Sequence, residues 1–297
     1  MSGSLADAPA LLWSGSVPIC LTLSDCDRAS TVDVSPCYIL APRMAFLQLV
    51  VQEKVDHLRA HAMALRDDEV WYSCEGLPLR AHLPIGVLFD MHCRPAPAAA
   101  AQPPWRITVH FQAFPHDKLI KIPNKQVVQR LYSHDLKQSL FLLHGNTSHF
   151  NSLRTEQQTL LWSSICGSSH EGFEIVAKSL KPAKAADVRV SIPVRFLHGP
   201  TQPPVQPPLK AHDASGAATT LRDALLASLS RRPEAGAATT AMAPEDYACI
   251  VQGVDVPLAA PLYELWAALC HPDLFLYVTL RAVEVEIETA TRKNGFV

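Results

Sequence analysis

A pattern of five positions occurs twice in this sequence with all of its spacings kept, and it limits the folds that the chain can adopt. The two sets, 177 residues apart, are Gly76, Pro84, Ile85, Leu88 and Phe89, and Gly253, Pro261, Leu262, Leu265 and Trp266. A short apolar run that is typical of a strand precedes each copy, and a second such run follows it. The sequence therefore predicts two copies of one small module, separated by a segment unlike either.

The first copy lies within an alternation of strands and helices. We predict strands over residues 17–23, 37–40, 70–73, 77–82 and 105–111, a long helix over 43–65 and a short helix over 84–92. Apolar residues spaced by three and four from Leu47 to Leu65 indicate the long helix, and Pro84 suits the start of the short one. This element order, with one long helix crossing a sheet, is that of a ubiquitin-like β-grasp module.

The segment around the second copy repeats this order with weaker signals. We predict strands over 188–197, 247–252 and 274–280, another in or beside the proline-rich stretch 202–208, and helices over 219–230 and 261–270. Alternating apolar residues and glutamates over 283–288 prolong the last predicted strand. Two stretches of biased composition, 94–104 and 231–245, are predicted to be surface loops.

The segment between the modules has helical patterns. We predict helices over 126–143, 154–166 and 171–180, with Gly145 as a stop signal for the first. The fold class is therefore α+β, with two ubiquitin-like β-grasp domains flanking a helix-rich domain. We place the boundaries at 1–14 for an N-terminal helix or extension, 15–114 for the first ubiquitin-like domain, 115–187 for the helix-rich domain and 188–297 for the second ubiquitin-like domain.

The composition of the chain argues against several classes of protein. With 48% hydrophobic and 18% charged residues the chain is typical of a folded protein, and no run approaches the roughly 18 apolar residues that span a membrane. Residues 1–10 contain Asp7 and no basic residue, unlike a signal peptide, so we expect a cytoplasmic protein. The net charge is −2, and the mild basic excess over 115–187 is compatible with an anionic membrane surface, with an acidic partner and equally with a solvated helical face, whereas it is too small to indicate nucleic acid.

Motifs for catalysis are missing from the sequence. His57 and His61 have a spacing that can share a metal, but the glutamate of a His-Glu-x-x-His motif and a third ligand are not evident. There is no phosphate-binding glycine loop and no nucleophile elbow. We therefore expect no cofactor, no metal and no catalysis by this chain alone. The eight cysteines lack a Cys-x-x-Cys pair and are predicted to be reduced, which leaves a cytosolic thiol enzyme as an alternative.

Several stretches carry a resemblance to a known family. They are Pro42-Arg43, 70–72, 75–79, 84–90 and 105–111 in the first module, and 220–226 and 271–276 in the second. In these residues the chain strongly resembles the autophagy protein 5 family, over almost its whole length and in the family's order. The block Pro-Ile-Gly-Val-Leu-Phe-Asp at 84–90 is the most specific part, whereas the two inserts and the tail after Leu280 depart from the usual lengths.

The resemblance implies a covalent modification. Members of the family are conjugated, through one lysine of the helical domain, to the C-terminal glycine of the ubiquitin-like autophagy protein 12. Alignment of the helical segment puts Lys137 at the acceptor position, although Gln138-Ser139 replace the acidic or small pair that usually follows. The competing lysines lie earlier in the chain, at Lys118, Lys121 and Lys125.

The resemblance also implies partners. The conjugate would bind a coiled-coil protein of the autophagy protein 16 type and act as the ligase-like factor that attaches a second ubiquitin-like protein to phosphatidylethanolamine. Activating and conjugating enzymes would bind transiently, at the preautophagosomal structure membrane.

Two further residues are expected to bind the coiled-coil partner. Arg43 would pair with an acidic residue of that partner, and Trp13 would close the same groove from a short amphipathic helix. The alternatives are an isolated surface arginine, a tryptophan buried in the protein's own core, and a modifier held without a covalent bond.

Overall fold

The computed structural model of the protein describes residues 8–30, 33–64, 69–93, 104–231 and 243–283. Within these ranges, two mixed β-sheets and a group of helices form the structure. The predicted loops over 94–104 and 231–245 and the strand extension over 283–288 lie almost wholly outside the described residues.

The first sheet contains two parallel central strands with antiparallel neighbours. Its strands are β1 (Ser16–Leu23), β2 (Cys37–Pro42), β3 (Trp71–Cys74), β4 (Leu77–Pro78) and β5 (Trp105–His110). They lie in the order β2-β1-β5-β3-β4, with β1 parallel to β5. Helices α2 (Leu47–Val50), α3 (Gln52–Arg59) and α4 (Ile85–His92) belong to the same module, and α3 buries Val55 and Leu58 in its core.

The second sheet repeats this arrangement with one strand fewer. Its strands are β6 (Val194–Leu197), β7 (Tyr247–Val251), β8 (Val254–Asp255) and β9 (Leu276–Ala282), in the order β6-β9-β7-β8. The first and last strands again pair in parallel. Helices α9 (Leu221–Leu229) and α10 (Leu262–Leu269) complete this module.

The repeat in the sequence corresponds to a repeat in the structure. Helix α4 begins and ends 177 residues before α10, and each follows a two-residue hairpin turn. Both residues of each turn have positive φ, 50° and 78° at Glu75 and Gly76, and 54° and 79° at Gln252 and Gly253. Two consecutive positive φ values define a type I′ turn, which favours glycine. The prediction of two copies of one module is confirmed.

The segment between the modules is helical, as predicted. It contains α5 (Lys125–His144), α6 (Ser148–Asn151), α7 (Thr155–Cys166) and α8 (His170–Leu180), and the first helix of the described residues is α1 (Ala8–Ser14). The helices share one apolar core with the second sheet. A second core fills the first module and also includes Leu197, Phe275 and Tyr277 of the second, so the modules pack directly against each other.

The predicted long helix over 43–65 is shorter than the apolar pattern indicated, since it begins at Leu47, bends at Val51 and ends at Arg59. Before it, the Arg43 N–H donates to the Gly15 carbonyl and the Arg43 carbonyl accepts from Gly86. Backbone groups used in this way are not free to form helical hydrogen bonds.

Two predicted strands are also shorter than expected. The strand over 77–82 ends at Pro78. The strand over 188–197 begins only at Val194, because Arg189, Val190 and Ser191 donate their N–H groups to carbonyls at the end of α5. The stretch 202–208 forms a single bridge, between Val205 and Phe196, instead of a strand.

Candidate functional site

Lys137 lies on α5, the longest helix that the structure describes. The helix is well terminated, because the Asn124 side chain accepts a hydrogen bond from the Val127 N–H at 3.1 Å and Gly145 adopts a left-handed φ of 76° at the other end. Its buried face is formed by Val128, Tyr132, Leu136, Ser139, Leu140 and Leu143. Lys137 lies outside this face and is exposed.

The Lys137 amine lies against an aromatic ring. Its Nζ is 4.8 Å from the centre of the Phe150 ring on α6, and Phe150 itself is only 8% exposed. The face of an aromatic ring attracts an ammonium group, so the contact limits where Nζ can lie. An ammonium group is not nucleophilic, so an amine presented in this way depends on an enzyme that brings the activated carbonyl and accepts the proton.

The three competing lysines have different environments. Lys121 pairs with Glu69, Lys125 is the first residue of α5, and Lys118 lies in a turn before that helix. Of the two lysines on α5, Lys137 is the one in the helix interior, where the backbone is fixed on both sides.

Arg195 of β6 reaches α5 on both sides of Lys137. Its Nη2 donates to Asp135 Oδ1 and to Gln138 Oε1, both at 2.8 Å. Its Nη1 donates to Tyr277 Oη at 3.1 Å, and its guanidinium carbon lies 3.7 Å from the centre of the Phe275 ring. This group connects the lysine-bearing helix to the second sheet.

Asp273 forms the buried end of the same group. Tyr277 Oη donates to Asp273 Oδ2 at 2.6 Å, and Ser139 Oγ donates to the Asp273 carbonyl at 2.6 Å. Burial raises the pKa of Asp273, the Asp135 carboxylate acts in the same direction, and Arg195 opposes both. One guanidinium therefore offsets the repulsion between two carboxylates.

Arg43 lies in the junction between the modules. Its Nη2 is 2.6 Å from Asp90 Oδ2 of α4, and the two side chains are 12% and 6% exposed. Burial raises the pKa of Asp90, and the charge of Arg43 opposes that effect. A Cβ on Gly253 would lie 3.3–3.4 Å from the guanidinium atoms. Asp90 already supplies an acidic partner within this chain, and the contact of Arg43 with another protein stays a prediction.

Trp13 packs within the protein. It is 7% exposed, and its ring centre lies 5.1 Å from that of Phe173 and 5.9 Å from that of His170 on α8. Leu11 on the same short helix is 68% exposed. Helix α1 is thus attached to α8 through Trp13 and leaves Leu11 free, while a partner contact by Trp13 itself also stays a prediction.

Six of the eight cysteines have environments that disfavour thiolates. Burial raises the pKa of these six, namely Cys37, Cys74, Cys93, Cys166, Cys249 and Cys270. For Cys93 and Cys249 the pKa reaches about 12. Because the thiolate is the nucleophile in thiol catalysis, these six side chains do not favour the thiol-enzyme alternative.

Ser73, His110 and Asp27 lie in the order of a serine-protease triad, but of the two contacts only that between Ser73 and His110 is a hydrogen bond. Ser73 Oγ lies 2.8 Å from His110 Nε2, and His110 Nδ1 lies 3.9 Å from Asp27 Oδ2. Ser73 is only 3% exposed, so its oxygen is not accessible to an acyl substrate. The group instead connects β3, β5 and the segment after β1.

His57, in the last turn of α3, and His61, just after the helix, have ring centres 5.2 Å apart. Within the described ranges, no group of three or more His, Cys, Asp or Glu side chains is arranged to hold a metal ion. Among the same residues, no helix combines the length and the apolar character needed to cross a membrane.

Arg195 and Phe150 were not predicted from the sequence. A signal for Arg195 exists, because it is the one charge in the apolar run 192–197, and a charged residue in a buried strand usually has a partner. The identity of that partner could not be read, since Asp135 precedes Arg195 by 60 residues.

Comparison with family models gives three matches. The descriptions are "Autophagy protein ATG5, UblA domain" over residues 12–111, "Autophagy protein ATG5, alpha-helical bundle region" over 125–183 and "Autophagy protein ATG5, UblB domain" over 191–280.

Individual relatives agree with these models. Autophagy protein 5 of Oryza sativa subsp. indica is 31% identical over 180 residues, which cover 61% of this chain and 46% of that protein. The chain thus spans about half of the rice relative's length. Autophagy protein 5 of Aspergillus clavatus is 24% identical over 314 residues, covering 94% of this chain and 98% of that protein. The crystal structure of Kluyveromyces marxianus Atg5 matches with a TM-score of 0.77 at 20% identity, over 93% of this chain and 100% of that one.

The chain is an α+β protein in which two ubiquitin-like β-grasp domains flank a helix-rich domain, as predicted. The chain belongs to the autophagy protein 5 family.

Proposed function

We propose that this protein is an autophagy scaffold in which Lys137 accepts an isopeptide bond from a ubiquitin-like modifier of the autophagy protein 12 type. The observation that carries the proposal is an exposed amine in the interior of α5, between the two ubiquitin-like modules. The helix is capped at both ends, and Phe150 lies 4.8 Å from Nζ, so the amine is presented from a rigid element.

The reaction needs little from this chain beyond position. The Lys137 nitrogen attacks the carbonyl carbon of a thioester between the modifier's C-terminal glycine and a cysteine of the conjugating enzyme. A C–N bond forms and the C–S bond breaks, and the proton that the nitrogen loses passes through a base of the enzyme to the departing sulfur, which leaves as the thiol. Positioning of the nitrogen by a rigid helix lowers the entropic part of the barrier.

The conjugate would bind a coiled-coil partner and stimulate attachment of a second ubiquitin-like protein to phosphatidylethanolamine, at the preautophagosomal membrane. We assign the coiled-coil partner to the side of α1, where Leu11 is 68% exposed. Trp13 would support this surface by anchoring α1 to α8, and Arg43 by fixing the adjacent junction. The domain boundaries that we propose remain 15–114, 115–187 and 188–297.

The test compares two lysines of the same helix. Lys137→Arg and Lys125→Arg both keep the positive charge, so neither should disturb folding. In a reaction with the modifier and its activating and conjugating enzymes, we expect the wild type and the Lys125 variant to give a higher-mass adduct on a denaturing gel, and the Lys137 variant to give none.

Other outcomes would change the assignment. An adduct that persists in the Lys137 variant would show that another lysine is the acceptor. No adduct with the wild type, together with co-elution of the modifier on a sizing column, would favour the non-covalent alternative.

A further inference from the structure

The residues on either side of Lys137 are held by one side chain from another domain. Arg195 Nη2 binds Asp135 and Gln138, two residues before and one residue after Lys137 in the sequence. Residues three apart are neighbours on one face of a helix, whereas Lys137 projects from a different face. The guanidinium therefore helps to fix the rotation and the axial position of the turn that carries the amine.

Arg195 is itself fixed by the second module. Its Nη1 donates to Tyr277 Oη, and its guanidinium lies over the Phe275 ring. Tyr277 in turn donates to Asp273, which is 3% exposed. The guanidinium is thus held by Phe275 and Tyr277, while its Nη2 is directed at α5.

Further bonds attach α5 to the same segment of the second module. Ser139 Oγ donates to the Asp273 carbonyl at 2.6 Å, and Tyr132 Oη donates to the Pro272 carbonyl at 3.3 Å. These contacts lie on the buried face of the helix, before and after Lys137. The contact with Arg195 differs from them, because Asp135 is 20% exposed in its side chain and Gln138 is exposed. It can therefore be removed from the helix side without opening the core.

We propose that Arg195 is a positioning residue for conjugation at Lys137: by binding Asp135 and Gln138 it holds the acceptor amine in a fixed place relative to both ubiquitin-like modules. The inference rests on the acceptor role of Lys137 proposed above. It makes the second module, which does not carry the lysine, part of the acceptor site.

The test removes the contact from the helix side. The double variant Asp135→Ala/Gln138→Ala leaves Arg195 with Tyr277 and Asp273, and Gln126→Ala, exposed on the same helix, is the matched control. The measurement is the single-turnover rate of modifier transfer from a preformed thioester on the conjugating enzyme. A misplacement of about 1 Å costs up to about a hundredfold in rate, so we expect a loss of about tenfold in the double variant and none in the control.

A second readout separates position from chemistry. Labelling of Lys137 by a small N-hydroxysuccinimide ester, followed by peptide mass spectrometry, does not require alignment with an enzyme. We expect labelling to be unchanged in the double variant. Equal losses in labelling and in transfer would overturn the positioning role, as would a wild-type transfer rate in a variant with an unchanged melting temperature.

A milder variant covers the case in which the double variant unfolds. Arg195→Lys keeps the positive charge between the two carboxylates but lacks the planar fork that binds several acceptors at once. We expect slower transfer, measured at a temperature at which the variant is fully folded, and wild-type transfer would again overturn the proposal. Lys137→Arg, assayed in parallel, distinguishes the two claims, because an adduct that persists there refutes the acceptor role itself.

Discussion

The two glycines of the repeat allow the contribution of the junction between the modules to stability to be measured. Gly76 and Gly253 occupy the same position of the same turn, with φ of 78° and 79°. Replacement by alanine imposes the left-handed conformation on a residue with a Cβ, at a cost of about 1 kcal/mol at either site. The surroundings differ, because a Cβ at Gly76 would have nothing within 4 Å and one at Gly253 would lie 3.3 Å from Arg43 Nη2.

The extra cost at Gly253 follows from the ion pair behind it. To relieve the contact, the guanidinium must shift by a few tenths of an ångström, and its Nη2 lies only 2.6 Å from Asp90 Oδ2. A hydrogen bond between charged groups contributes about 1.5–3 kcal/mol, and a loss of half of it adds about 1 kcal/mol. We therefore expect Gly76→Ala to destabilise by about 1 kcal/mol and Gly253→Ala by about 2 kcal/mol.

Urea unfolding of the two variants and the wild type measures this difference. Because the same surface becomes exposed in each case, the shifts of the unfolding midpoints can be compared directly. The same pair of changes in an Arg43→Ala background completes a double-mutant cycle, and there the two alanines should cost the same. Equal midpoint shifts in the presence of Arg43, or a difference that survives its removal, would refute the reasoning.

Two further predictions concern pH and the N-terminal helix. Burial lowers the pKa of His82 and His92 to about 4 and that of His271 to about 3. These histidines should therefore leave the free energy of unfolding unchanged above about pH 6.5 and reduce it as the pH falls below that value, because the unfolded chain then binds more protons than the folded one. His271→Asn should weaken the dependence of the urea midpoint on pH between pH 7.5 and 5. The same dependence in this variant and in the wild type would contradict the role given to His271. Trp13→Ala should detach α1 at a cost of about 3 kcal/mol, seen as faster amide exchange in α1, whereas Leu11→Ala, at an exposed position, should leave exchange unchanged.

The sequence allowed the modules to be predicted because their signals are local. A glycine in a turn and a proline before a short apolar helix are read from neighbouring residues, and α4 and α10 follow them as expected. The end of the long helix could not be read in this way. The apolar spacing continues to Leu65, but the backbone beyond Arg59 is used elsewhere, as when Met63 N–H donates to the Asp27 carbonyl.

The residues of the candidate site likewise fall into those that could be predicted from the sequence and those that depend on distant contacts. Lys137 was found by resemblance to a family, and its exposed place on a long helix followed from the apolar pattern. The Arg195 group could not be predicted, because it joins β6, β9 and α5 across separations of 57 to 82 residues. Arg43 was expected on the surface, and its burial depends on Asp90 and on a turn of the other module.

The contact at Gly253 also makes the packing of the two modules asymmetric. It joins a turn of the second module to α4 and Arg43 of the first, so the copies are arranged head to tail and not about a two-fold axis. The equivalent turn at Gly76 is exposed, whereas the position equivalent to Asp90 in the second module is Ala267, which has no charge to hold an arginine. A further ubiquitin-like domain that packed with the same geometry would therefore bind the exposed turn of the first module. It would not bind α10 of the second module, because Ala267 cannot hold an arginine there.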